Sequence, residues 1–175
     1  AIRLALPDAL LILVPRHPER FAKVAALCRK QGYNIVLRSE QKPCDANTNI
    51  YTPDIYIGDS MGELMLLYAA SDVAFVGGSL VAHGGHNLLE PAALGIPVIT
   101  GPHTFNFTDI SRMLLQADAA RQVNNAAELA AVVITFLQND ALRRATGEKG
   151  RLLVEQNRGA LEKIMTVIGE CSDGK

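Results

Sequence analysis

Tryptophan is absent from the 175 residues, and aromatic residues make up only 5% of them. A stacking platform for single-stranded nucleic acid needs exposed aromatics among cations. The formal net charge of −1 offers no surplus of cations either, so nucleic acid is not an expected partner. Cys28, Cys44 and Cys171 form an odd set without metal-type spacing. They fit reduced thiols in a cytosolic protein better than a disulfide framework. No apolar run approaches the roughly 18 residues that a membrane span needs. "ALLILV" has the length of a buried strand. The first residues show neither an initiator methionine nor a signal-peptide pattern. We therefore expect the sequence to be a piece of a longer chain.

What is present describes a globular domain: 49% hydrophobic and 20% charged residues, in a chain long enough to bury a core. "LLILV" (10–14), "NIVLR" (34–38), "DIYIGD" (54–59), "VAFVGG" (73–78), "IPVITG" (96–101) and "AARQV" (119–123) read as strands. "PERFAKVAALCRKQG", "MGELMLLYAASD", "NLLEPAALG" and "NFTDISRMLLQAD" read as helices between them, and residues 39–53 as a polar loop. "AAELAAVVITFLQ", "DALRRATGEKGRLLVEQ" and "GALEKIMTVIGE" close the chain as helices, before a frayed "CSDGK". The strands are apolar throughout rather than alternating, as in a parallel sheet covered on both faces. The expected fold class is α/β. Residues 1–175 form one Rossmann-like doubly wound parallel sheet with helices on both faces and a helical C-terminus.

In such folds ligands bind beyond the carboxyl ends of the strands, which directs attention to the strand exits. "PRHPER" follows the first strand. Arg16 and His17 place cations there that a helix start does not require, while Pro18 and Glu19 suit helix entry. "GDSMGEL" follows the third. Ser60 and Glu63 have capping-box spacing, and Asp59 is a second cap candidate. The alternative is a turn around Met61 and Gly62 that meets a base or sugar, with Glu63 as acceptor. "GGSLVAHGGHNLLEP" (77–91) follows the fourth, with two glycine pairs that let backbone N–H groups approach an anion ahead of a helix start. Asn87 and Glu90 again have capping spacing, yet a carboxylate in that turn also suits a ribose. His83, His86 and His103 allow a three-histidine zinc site on paper. Contacts to phosphate or sugar fit their setting better. Ser79 has neither a nucleophile elbow nor a base and orienting acid, which disfavours a serine hydrolase.

Taken together, "LVPRHPERF", "GDSMGELMLLYAASDVAFVGGSLV", "GGHNLLEPAALGIPVITGPHTFNF" and "NRGALEK" closely resemble the bacterial lipid A-specific 3-deoxy-D-manno-octulosonic acid (Kdo) transferases, over residues 10 to about 165. The resemblance implies the C-terminal, donor-binding half of a GT-B glycosyltransferase. It implies CMP-Kdo as donor, a lipid A precursor as acceptor, inversion at the transferred sugar, and no metal or other cofactor in the donor site. Arg16 and His17 would contact the cytidine monophosphate, and Met61, Gly62 and Glu63 would border the nucleotide. Gly78, Ser79, Gly85, His86 and Asn87 would hold phosphate and sugar, and Glu90 the ribose. The catalytic base, the acceptor groove and any membrane contact would belong to an N-terminal domain outside this sequence. The full-length protein would then act at the cytoplasmic face of the inner membrane. "VAH" ahead of "GGHN" departs from the family's proline-containing pattern, so His83 is not carried over. Another GT-B transferase, a UDP-sugar epimerase, or a non-catalytic nucleotide-binding module on the same sheet are the competing readings.

Overall fold

A computed structural model describes residues 1–41 and 53–157. Cys44 with most of the predicted loop, nearly all of "NRGALEK", the last predicted helix, Cys171 and the "CSDGK" tail lie outside the described residues. The six predicted strands are present as β1 (Leu11–Leu13), β2 (Ile35–Leu37), β3 (Ile55–Ile57), β4 (Ala74–Phe75), β5 (Val98–Thr100) and β6 (Ala120–Gln122). The helices are α1 (Ile2–Ala5), α2 (Phe21–Lys30), α3 (Leu64–Ala69), α4 (Leu89–Ala93), α5 (Thr108–Gln116), α6 (Ala126–Gln138) and α7 (Asp140–Asn157). Only α1 has no counterpart in the sequence reading. Every strand pair is parallel. The ladder divides into two three-stranded sheets, β1-β3-β2 and β4-β5-β6, where one continuous sheet was expected.

The second sheet explains why Val98 and Ile99 of β5 are both apolar, while β6 departs from the expected pattern with the polar Arg121 and Gln122. Val98 joins the core beneath α4 and α5, with Val76, Leu88, Ala92 and Leu114. Its neighbour Ile99 joins Val123 and Phe136 beneath α6. Successive residues of a strand face opposite sides, so β5, covered on both faces, buries Val98 and Ile99 alike. In the first sheet Ile55 and Ile57 share one face and pack with Ala25 and Cys28 of α2. Tyr56, between them in sequence, is half-buried. The buried Cys28 thiol is free.

Helix α7 lies against α4 through small residues. A Cβ on Gly147 would collide with the Gly95 carbonyl, and one on Gly150 would lie 3.4 Å from the Ala92 Cβ. This contact sets the position of α4, whose first turn carries Glu90. Among the described residues, no helix is long and apolar enough to cross a membrane.

Candidate functional site

The exits of β1 and β4 meet although they belong to different sheets. Arg16 Nη1 lies 2.6 Å from His86 Nδ1. A guanidinium only donates, so Nδ1 accepts and the ring is neutral, with its proton on Nε2. Burial pushes the His86 pKa below its ordinary value, and Arg16, His17 and His83 push the same way. Nε2 faces Gly78, where a Cβ would lie 3.3 Å away. Gly78 and Gly85 sit at φ +73° and +74°, a region glycine enters at no steric cost. The Gly85 N–H donates to the Gly78 carbonyl at 3.0 Å, which closes the loop between them. Among the described residues, the N–H groups of Gly77, Gly78, His86 and Asn87 have no protein acceptor. His17 is exposed, 3.9 Å from Glu19, at the entry to the turn Pro18–Arg20.

Ser79 requires a correction. It is fully buried; its hydroxyl donates to the Val76 carbonyl at 2.7 Å and accepts from the Gly101 N–H at 2.8 Å. Its carbonyl accepts from the His103 N–H at 2.9 Å. With its hydroxyl and carbonyl engaged inward, Ser79 ties the β4 exit to the β5 exit, and its side chain is not available to a ligand.

The β5 exit also clamps the loop ahead of His86. Asn106 donates from its backbone N–H to the Gly84 carbonyl at 3.2 Å and from Nδ2 to the His83 carbonyl at 3.3 Å. Gly84, at φ +86°, leaves no room for a Cβ beside Asn106 and Phe105. Sequence reasoning missed Asn106, because nothing local marks a side chain that reaches 23 residues back. The His83 and His103 side chains are exposed, and the three-histidine arrangement does not form: among the described residues no three His, Cys, Asp or Glu groups gather.

Leu88 occupies the cap of the short helix that follows, and Asn87, one residue ahead, accepts from the Leu89 N–H through Oδ1 at 3.0 Å. Its Nδ2 donates to Glu90 Oε1 at 3.2 Å. The carboxylate is therefore oriented from one side and half-exposed. Helix α4 has only five residues, too few for a strong axial dipole. The anion-favouring groups here are local N–H donors rather than a long helix. Tyr68 of α3 sits nearby; burial, with the Glu90 charge behind it, pushes its phenol up to about 12.

At the β3 exit the anticipated capping box is absent. Residue Glu63 itself occupies the cap of α3, without a side-chain cap bond. Ser60 Oγ donates to one carboxylate oxygen, and Arg38 Nη2 donates to the other at 2.8 Å. Hydrogen bonds from Ser60 and Arg38 hold the Glu63 carboxyl below the usual range, and the same partnership raises Arg38. Asp59 does not cap either. It accepts from the Ser39 N–H at 2.9 Å and the Ser39 hydroxyl at 2.5 Å. Each Glu63 oxygen thus already accepts one hydrogen bond from the protein, which fixes the carboxylate in place. Met61 is exposed, and the turn passes through Gly62 at φ +83° with open space in front of it. Arg38 was missed, though it is the last residue of the predicted strand "NIVLR" and the strand-exit rule applied to β2 (Ile35–Leu37) points to it.

Parallel strands flanked by helices, with strand exits that converge, are the setting in which α/β domains bind ligands, and comparison with known proteins gives the family. A model of the family "Glycosyl transferases group 1" matches residues 53–153, and the chain belongs to that family. Within it, the chain groups with the 3-deoxy-D-manno-octulosonic acid transferases. It is 47% identical over 163 residues to the one from Haemophilus influenzae, covering 93% of this chain and 37% of that protein. It is 38% identical over 168 residues to the one from Bordetella pertussis, covering 96% and 38%. The solved C-terminal CMP-Kdo binding domain of WaaA from Acinetobacter baumannii superposes with a TM-score of 0.75 at 33% identity. That match covers 87% of this chain and 81% of the other. The chain thus spans little more than a third of the length of these curated relatives, and its fold matches the C-terminal domain of a GT-B glycosyltransferase.

Proposed function

We propose that residues 1–175 form the donor-binding domain of a Kdo transferase and hold CMP-Kdo at the exits of β1, β3 and β4. The observation that carries this reading is the convergence of Arg16, His86 and Gly78 from two sheets. It builds an anion site with one fixed cation, one neutral imidazole N–H and unpartnered backbone donors. The solved relative that binds CMP-Kdo supports the choice of donor. Arg16 holds the nucleotide phosphate, His86 donates from Nε2, and the N–H groups of Gly77, Gly78 and Asn87 complete the cradle. The Glu90 carboxylate, steadied by Asn87, accepts from the ribose hydroxyls. The Met61–Gly62 turn borders the base.

In this reading the domain works by positioning. It fixes the phosphate leaving group, leaves one face of the sugar open, and stabilises charge on the departing CMP. The site needs no metal ion, because Arg16 supplies the neutralising charge. The base that takes the acceptor's proton belongs to a separate N-terminal domain. That domain also brings the lipid A precursor, inverting attack, and contact with the cytoplasmic face of the inner membrane.

Calorimetry of the 175-residue chain with CMP and with UDP tests the donor assignment. We expect binding of CMP in preference to UDP, with NMR shift changes across residues 77–90. No heat with CMP, or preference for UDP, overturns it. Sugar transfer by this chain alone would refute the assignment of the base to another domain.

A further inference from the structure

We infer that Arg38 is a positioning residue that sets base selectivity by fixing the Met61–Gly62 turn; this rests on the donor-site reading above. The turn is exposed, passes through a glycine in the left-handed region, and meets no neighbour in front of Gly62. Its conformation is set from behind. The Glu63 carboxylate takes one hydrogen bond from Ser60, which spans the turn, and one from Arg38, which leaves β2 as β2 ends. The next residue of that exit, Ser39, grips Asp59 twice at the start of the same turn. Two adjacent residues after β2 therefore hold both ends of the segment.

The consequence concerns selectivity more than affinity alone. Cytosine and uracil differ in which ring positions donate and which accept. Only donors and acceptors held at fixed positions can tell them apart. A turn released from Arg38 still offers the same groups, but at no single position. The Arg38 guanidinium acts through Glu63, and its effect belongs to the base end of the ligand, remote from the phosphate held by Arg16.

The test compares CMP and UMP binding by calorimetry in the unaltered chain, Arg38→Ala, Arg38→Lys and Glu63→Gln, with thermal midpoints for each. We expect Arg38→Ala to weaken CMP by about tenfold, the scale of one charge-assisted contact, and to shrink the CMP-to-UMP ratio. Inorganic phosphate binding stays unchanged. Arg38→Lys should recover part of the ratio, since it keeps the charge and loses the fork. If Arg38→Ala does not fold, Arg38→Lys and Glu63→Gln carry the test, both with reduced ratios. An unchanged ratio, whether or not stability falls, makes Arg38 a structural ion pair and overturns the inference. Failure of the unaltered chain to bind CMP is a separate result, and it overturns the donor assignment on which the inference rests.

Discussion

Replacing Ser79 with alanine removes one donor and one acceptor from a place that water does not reach. The Val76 carbonyl and the Gly101 N–H both lose a partner, and leaving buried polar groups unpaired costs about 1–3 kcal/mol. We expect Ser79→Ala to lower the urea midpoint accordingly. CMP affinity should fall only as far as the β4 exit loosens. His86 makes the opposite kind of prediction. Its pKa lies below the ordinary 6.5, chiefly through burial. Above 6.5 both folded and unfolded chains hold it neutral, and its contribution to stability is complete. As the pH falls below 6.5, the unfolded chain takes up the proton first, and stability declines toward the lowered folded value. Urea midpoints measured across that interval should fall in the unaltered chain and fall less steeply in His86→Gln. An identical slope in both removes His86 as the source. Protonation also ends the Arg16 contact, because Nδ1 can no longer accept.

Three stretches share the spacing of a capping residue followed three positions later by glutamate, and their fates differ. Asn125 and Glu128 form the box: the Asn125 side chain accepts from the Glu128 N–H at 2.9 Å, and Glu128 reaches back to the Asn124 N–H at 2.8 Å. Asn87 accepts from the Leu89 N–H one residue ahead of the cap, and Glu90 bonds the Asn87 side chain and does not return to the backbone. Ser60 does not cap at all, and Glu63 is claimed by Arg38. Local pattern reads all three alike, because spacing reports which groups are close in sequence and not which distant cation competes for the carboxylate. The same reasoning explains what was legible in the fold. The β5 run "IPVITG" and the helix over 126–138 announce themselves through apolar pattern and length. The gap between the two sheets, the inward turn of Ser79 and the reach of Asn106 depend on tertiary contacts with no local trace. Helix packing gives a prediction at this scale. Alanine at Gly147 would drive a Cβ into the Gly95 carbonyl, which is backbone and cannot swing aside. Overpacking of this kind costs about 1–3 kcal/mol, and it should displace α4 and Glu90 as well. Gly147→Ala should therefore lower both the urea midpoint and CMP affinity. Gly32→Ala, where a Cβ meets nothing, should lower stability only through its φ of +83° and leave affinity alone.

At the scale of the whole molecule, the two sheets share no strand pair among the described residues, and the proposed ligand site lies where their exits meet. The protein links across this junction include Arg16 to His86 and the packing of α3 on α4. A nucleotide held by Arg16 from the first sheet, and by Gly78 and Glu90 from the second, adds a further link absent from the unfolded chain. Ligand at a hundred times its Kd stabilises a folded protein by about 2.7 kcal/mol. The thermal midpoint should therefore rise with CMP, and amide protection should increase at both 16–17 and 77–90. Arg16→Ala separates the contributions. It removes the phosphate contact and the bridge to His86 together, so CMP should lose most of its stabilising effect. Cytidine, which has no phosphate to lose, should bind the variant nearly as it binds the unaltered chain. Equal losses for CMP and cytidine would place Arg16 at the base or ribose instead of the phosphate. Protection confined to 77–90 would mean that the ligand sits on the second sheet alone, with the junction as a structural seam.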